Sequence, residues 1–341
     1  MKYFKEHIDE FSKIYFDDEN YILFNDGKPI REHFLTENDI EVSLDERLDC
    51  KDICDLERNN DEKELIDKTN FNVHIKIHND LSLKIIHLND DEKYVSFSFE
   101  LDPKVEVKII DIYTRTEIDA QILNEVLVKN RARLDYFVLT RCEGKVNFHS
   151  NFYLDKQCNV NLYSLNLNEN EFKHTENVYL YDRFSKLNEY NAIVNNTKYD
   201  QEYSYNVHNL SSSCISKMYN NAICNCEAFI TVNTDGIIKK GATETDLSQK
   251  IKGILLDKKS NIIANPILEI DEYDCKASHG ASVGAVDDSD LFYLMSRGIT
   301  RNDAIKLIVY SYIETALVML SKDEKSKNLI KYIEKIVNKK L

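Results

Sequence analysis

From about Phe71 to Val286, apolar and polar residues alternate in short runs. Phe71-Val73-Ile75-Ile77, Leu81-Leu83-Ile85, Val95-Phe97-Phe99-Leu101 and Val105-Val107-Ile109 keep a period of two. So do Leu134-Tyr136-Val138, Val146-Phe148, Phe152-Leu154 and Val160-Leu162. That period places alternate side chains on opposite faces of a strand, so each run predicts a strand with one buried face. The runs return roughly every ten to twelve residues, the rhythm of sandwiches, barrels and solenoids.

Breakers are scarce: the 341 residues include 8 Gly and 3 Pro. Turns are therefore expected from Asn and Asp, which tolerate the left-handed conformation, as in the runs starting at Asn89 and Asn166. So long a series of strands, with so few breakers, favours stacked coils over a sandwich. There is no exact repeat, and spacing alone leaves a two-sheet sandwich open.

Both flanks change period. Phe4, Ile8, Phe11 and Tyr15 recur at helical spacing, and Asp45 to Asp67 reads as a loop with a short solvated helix. Residues 1–70 are thus expected to be helical and irregular. After Val286, Asp287 suits the N-cap of a helix through Leu291, Leu294 and Met295, with Gly298 as its left-handed stop. Thr300 and Asp303 resemble a capping box for a helix with a wide apolar face from Ile305 to Leu320. A last helix sets Leu329, Ile330, Ile333, Ile336 and Val337 against a row of Lys. The expected layout is 1–70, a β core over 71–286, and a helical domain over 287–341.

Composition narrows the function. Net charge is −15 with 30% charged residues, which argues against the basic footprint that nucleic-acid binding needs. The start, MKYFKEHIDEF, lacks the apolar core of an export signal, and no run reads as a membrane span of about 20 residues. A cytoplasmic protein with reduced thiols is expected from its eight scattered Cys. No Walker motif is present, so ATP chemistry would belong to a partner.

Thiol pairs are the first candidate ligands. Alternation would put Cys224 and Cys226 on one face of a strand, but one pair falls short of the usual four ligands. Cys50 and Cys54 could share a helix face. Arg297 and Gly298 fit helix termination, and Asp287, Asp288 and Asp290 fit a helix start, better than acid–base catalysis. Tyr310, Tyr312 and Glu314 suit a docking surface on the long helix, together with Arg297.

The stretch from Asn265 to Thr300 is the most specific. It contains Pro266-x-Leu268-Glu269-Ile270, Ser278-His279-Gly280-Ala281, Val283-Gly284, Leu291-Phe292-Tyr293-Leu294 and Ser296-Arg297-Gly298-Ile299. Upstream stand Ala242-x-x-Thr245-Asp246-x-x-Gln249 and Gly253-Ile254-Leu255-Leu256, and more faintly Asn124 to Val128 and Ala132-Arg133-Leu134. These runs resemble, in order and spacing, the C-terminal signature of the SufB/SufD family of iron–sulfur cluster assembly scaffolds. The resemblance is clear from about Ala242 to Tyr312 and does not reach the first 70 residues.

The resemblance implies a right-handed parallel β-helix with a C-terminal helical domain. It implies a scaffold without catalysis of its own, paired with a SufB-like subunit or a second copy of itself. The helices would dock on a SufC-type ABC ATPase, whose ATP-driven closure would strain the scaffold interface. The cofactor implied is a transient iron–sulfur cluster at that interface. His279 becomes the candidate cluster-assembly and metal-ligating residue, since imidazole is a good iron ligand. On residue type alone, hydrogen bonds at a strand end would explain it as well.

Departures from the family pattern favour its SufD branch. Ala277 stands where SufD proteins often carry Cys, and Cys275 would lie on the same face, about 7 Å along the strand. Gly280 replaces the acid that follows the His in SufB, and neither Lys250 nor Ile251 is the Cys that SufB carries just after the Thr and Gln. The remaining alternatives are a self-pairing SufB-like scaffold and a β-helix enzyme acting on carbohydrate.

Overall fold

The computed structural model describes residues 19–340 apart from 26, 37, 45, 49–59, 70–71, 90–92 and 116–118. The stripe at Phe4 to Tyr15 and the pair Cys50 and Cys54 lie outside the described residues. From β4 (Asn72–Ile77) and β5 (Leu81–Asn89) to β18 (Asn261–Ile270) and β19 (Cys275–Ala285), successive strands fall in opposite sheets. Each pairs in parallel with the strand two further on. The chain therefore winds as a parallel β-solenoid of about 7 turns, with C-terminal helices.

The alternating runs account for this directly. Val73, Ile75, Ile77, Phe97, Phe99, Phe148 and Phe152 all point into the lumen and are buried. Parallel pairing between coils satisfies the backbone, so the interior needs only to be filled. The coil lengthens along the chain. Asn161 bonds Asp135 across 26 residues, whereas Asn265 bonds Asn233 across 32. A drifting coil length explains why no fixed sequence repeat is visible.

At the corners Asp bonds the backbone locally, as where Asp155 accepts from Lys156 N (2.6 Å) and Asp257 from Lys259 N (2.7 Å), but the left-handed positions differ from expectation. Among the described residues, non-glycine left-handed positions are Lys104, Arg131, Gln157, Phe184, Ser213, Cys226, Glu227 and Glu244, none of them Asn or Asp. Six of them form a ladder down one corner. Lys104 N donates to Asn130 O (3.0 Å), Arg131 N to Lys156 O (2.9 Å) and Gln157 N to Arg183 O (3.1 Å). Phe184 N donates to Ser212 O (3.2 Å), Ser213 N to Thr243 O (2.7 Å) and Glu244 N to Asp274 O (2.6 Å). Stacking fixes the backbone there, and an inter-coil hydrogen bond worth about 0.5–1.5 kcal/mol offsets strain of similar size. Asn instead works within the strands. Asn188 donates to Asn161 (2.9 Å), and Asn206 donates to Asn177 (3.0 Å), which donates to Asn151 (2.9 Å).

The region before residue 71 contains strands as well as a helix. β1 (Asn20–Asn25) joins the ten-stranded sheet parallel to β5, and β2 (Lys28–His33) pairs antiparallel with β1. β3 (Ile40–Leu44) pairs antiparallel with β4 and ends the nine-stranded sheet. Helix α1 (Asn60–Lys68) packs on β6 (Tyr94–Leu101) and β8 (Ala120–Val128).

At the other end follow α2 (Asp288–Ser296), α3 (Arg301–Ser321) and α4 (Lys327–Lys340). Their starts and stops match expectation: Asp287 accepts from Ser289 N (2.8 Å), Gly298 is left-handed, and Thr300 accepts from Asp303 N (3.2 Å). Helix α3 is long and apolar enough to span a bilayer, more so than the sequence suggests. Here it lies on the ten-stranded sheet. Val309, Ile313, Ala316 and Leu320 share a buried core with Phe137, Leu139, Leu165 and Val194. Asn221 fastens it by donating to Tyr312 O (2.8 Å) and Thr315 Oγ1 (3.2 Å).

Candidate functional site

The last coil has no successor. β19 ends the ten-stranded sheet and β18 ends the nine-stranded one, so each has one unpaired edge. Residues that would be interior on earlier coils are open here. Val283 on β19 is 40% exposed, whereas Ala222, in register with it two coils earlier, is 0% exposed. Outer apolar side chains are bare as well, including Ile263 and Ile267 on β18, Tyr273 between the strands, and Phe292 and Tyr293 on α2.

His279 lies in the middle of β19, paired in register with Gln249 on β17 (Thr245–Leu255). Gln249 faces the lumen, so His279 shares that inward face and is exposed because no further coil covers it. Its outward neighbours on the strand are small: Ser278 and Gly280, then Ser282 and Gly284. A Cβ at Gly280 or Gly284 would meet nothing within 4 Å, which leaves room beside the strand. The edge carries little of the charge or bulk that usually discourages strand addition. β18 carries Pro266, which has no N–H to offer a new strand.

Gln249 gives the site a polar floor that sequence reasoning recorded only as part of a motif. It is 1% exposed, and its Oε1 accepts from Thr234 Oγ1 at 3.2 Å. Its Nε2 is buried without a hydrogen-bond partner. The side chain fits because Gly236 faces it: a Cβ there would come within 2.3 Å of that nitrogen. Gly236 was legible only as a residue in a strand, since its need appears across the lumen.

The thiols separate. Cys275 shares the inward face of β19 with Ala277 and His279, as alternation predicts. Its Sγ donates to Glu272 O (3.2 Å), and burial, then the carboxylates of Glu272 and Asp274, push its pKa up. That disfavours the thiolate a metal would need. Cys224 and Cys226 do not share a face. Cys224 ends β15 (Ile215–Cys224) fully buried, donates to Ala228 O (3.0 Å), and has its pKa pushed to about 12 by burial. Cys226 follows in the corner, left-handed and exposed. The strand stops before the alternation can bring the second thiol round. Among the described residues, no three His, Cys, Asp or Glu are grouped to hold a metal.

The docking candidates divide too. Arg297 caps α2, with its guanidinium 5.2 Å from the Tyr293 ring centroid. Tyr310 and Tyr312 are half-buried against the helix–sheet core, and Tyr310 Oη donates to Glu334 O (3.2 Å). Glu314 is exposed on α3. Chemically, the open end offers one imidazole, a free strand edge and an apolar rim.

Comparison with known proteins covers most of the solenoid. Residues 89–312 match the family described as SUF system FeS cluster assembly, SufBD core domain. The iron–sulfur cluster assembly protein SufD of Bacillus subtilis (strain 168) is 40% identical over 105 residues, covering 31% of this chain and 24% of that protein. SufD of Escherichia coli (strain K12) is 40% identical over 75 residues, 22% of this chain and 18% of that protein. A SufBD family protein of Archaeoglobus fulgidus is 37% identical over 79 residues, 23% of this chain and 21% of that protein. The aligned parts are thus under a quarter of each relative's length. With two strand-built sheets wound as one solenoid and a family match across most of it, the chain belongs to the SufB/SufD family of iron–sulfur cluster assembly proteins and is SufD-like.

Proposed function

We propose that this chain is a non-catalytic scaffold subunit of a SUF-type assembly complex, working in the cytoplasm. Its open end receives a second β-solenoid chain, either a SufB-like subunit or another copy of itself. Helices α2–α4 face a SufC-type ABC ATPase, which supplies the ATP hydrolysis this chain has no motif for. An iron–sulfur cluster, as cargo, is built transiently at the solenoid interface and passed on. His279 contributes one imidazole to it, and the partner supplies the other ligands.

One observation carries this reading. The first coils end in the short antiparallel strands β2 and β3, while the last coil keeps the parallel pairing of the earlier ones and leaves two long strand edges and an apolar rim uncovered. Exposed apolar surface of this kind, at an unblocked edge, marks a place where another chain adds. β19 is the edge suited to pairing, since Pro266 interrupts β18.

Co-expression with a SufB-type and a SufC-type chain, followed by anaerobic reconstitution, tests it. The expected result is a stable complex in which His279→Ala lowers cluster yield without loosening the assembly. Recovery of neither partner, or unchanged yield in the variant, contradicts the proposal. The mass of the complex distinguishes hetero-pairing from self-pairing.

A further inference from the structure

Far from the open end, the lumen holds polar side chains where an apolar filling would be expected. One chain of contacts begins at His87, whose Nε2 is 2.7 Å from Asp111 Oδ1. Tyr136 Oη donates to Asp111 Oδ2, and Asn124 Nδ2 donates to Tyr136 Oη (2.7 Å). A second chain centres on Ser150, whose Oγ is 2.9 Å from His174 Nε2 and donates to Glu176 Oε2 (3.2 Å). Both chains stop at one small cavity of about 10 Å³, lined by Asn124, Tyr136, Ser150, His174 and Glu176 among others.

Three atoms of these lining residues are buried without a partner: Asn124 Oδ1, His174 Nδ1 and Glu176 Oε1. Buried polar atoms are nearly always satisfied, and leaving three unsatisfied around one cavity calls for a shared occupant. The volume admits a single water-sized molecule, and a buried water typically makes about three hydrogen bonds.

We propose that this cavity binds one ordered water molecule, joining Asn124, His174 and Glu176, and that Glu176 stands beside it as a neutral carboxylic acid. The proton assignment follows from the donors. Ser150 has one hydroxyl proton, which goes to Glu176 Oε2. His174 must then donate from Nε2 to Ser150 Oγ, leaving Nδ1 as an acceptor. The water donates to His174 Nδ1 and Asn124 Oδ1, and accepts from the Glu176 Oε1 proton. Every partner is then used once, and the two chains become one network from His87 to Glu176.

Electrostatics agree. Burial, with His149 nearby, draws the His174 pKa down to about 3, so its ring is neutral. Burial and the neighbouring Glu189 raise that of Glu176. The groups facing Glu176 are Ser150, Glu189, the Tyr205 hydroxyl across the lumen and the neutral His174 ring (4.0 Å), and none is a cation. A carboxylate there would stand beside a second buried acid without a counter-charge, whereas the acid form lets water suffice.

The test is a crystal structure of the full chain, with infrared spectra and melting curves of the parent and of Glu176→Gln at neutral pH. Expected are a density peak within hydrogen-bond reach of Asn124 Oδ1 and Glu176 Oε1, and a carboxylic-acid carbonyl band that Glu176→Gln removes. Gln mimics the neutral acid, so that variant should melt within about 1 °C of the parent, under about 1 kcal/mol for a chain of this size. Asn124→Leu should lose the peak, and if it fails to fold the Glu176→Gln comparison still decides. An empty cavity, absence of the acid band, or a melting temperature that sodium or potassium raises in the parent but not in Glu176→Gln overturns the proposal. The last outcome would mean a carboxylate holding a cation.

Discussion

The two ends of the solenoid are built from the same kind of strand but finished differently. At the start, β2 and β3 turn back antiparallel and end both sheets in short strands; Ile22, Phe24 and Val73 are buried although they belong to the first coils, while Ile30 and Leu44 on the end strands are exposed. At the finish, β18 and β19 repeat the parallel pairing of every earlier coil and stop, leaving Ile267 and Val283 exposed. A solenoid coil stabilises mainly through its neighbours, so an unfinished last coil is a cost that a partner chain would remove. The contrast favours the last coil, where parallel pairing can continue, as the place for the proposed association.

The largest expected effect sharpens that contrast. Phe148→Ala, in the middle of the filled lumen, should lower unfolding free energy by about 3–5 kcal/mol. Val283→Ala at the open end should change it by under about 0.5 kcal/mol in the isolated chain. Denaturant midpoints check both, and equal losses would mean the last coil is already covered. Next, Ile267→Asp with Val283→Asp should weaken capture of the second scaffold chain at least ~30-fold, the loss of one interface hot spot, while the isolated chain melts normally. Titration calorimetry checks this, and unchanged affinity would break the comparison.

A smaller effect concerns pH. Burial raises the Glu189 carboxyl from 4.5 to about 7, with Glu176 and Tyr205 across the lumen and Asn191 donating to it. The folded chain holds this proton more tightly than the unfolded one. Its stabilising contribution is therefore full below about pH 4.5 and is lost as pH rises towards 7. Denaturant midpoints across that range should show a falling contribution that Glu189→Gln flattens. The smallest effect is at the corner ladder. Phe184, left-handed and half exposed, should tolerate Gly with a change within about 1 kcal/mol, while Phe184→Val should lose about 1 kcal/mol or more.

What was legible in the sequence depended on local rules. Alternation located Val95 to Leu101 and Val105 to Ile109 because strand faces repeat every second residue. Asp287, Gly298 and Thr300 marked helix ends because caps act within a few residues. The corner residues were not legible: Arg131 and Phe184 are left-handed where the next coil bonds them, through Lys156 O and Ser212 O, about one coil further along the chain. Glu176 and Glu189 carry no sequence signal of burial, and the strand faces they share with lumen residues turn them inward. Cys226 looked like a strand partner for Cys224 because sequence does not show that the strand ends between them. At the site, the position of His279 on the last strand was legible through family resemblance, but the Gln249 floor needed the pairing across the lumen.

Hydrogen–deuterium exchange of the chain, alone and with the co-expressed SufB-type and SufC-type chains, tests the asymmetry of the two ends most directly. The account predicts that amides of Cys275–Ala285 exchange at least about tenfold more slowly in the complex, while those of Lys28–His33 and Ile40–Leu44 do not change. Protection at the first coils instead, or none at the last strand, would contradict it.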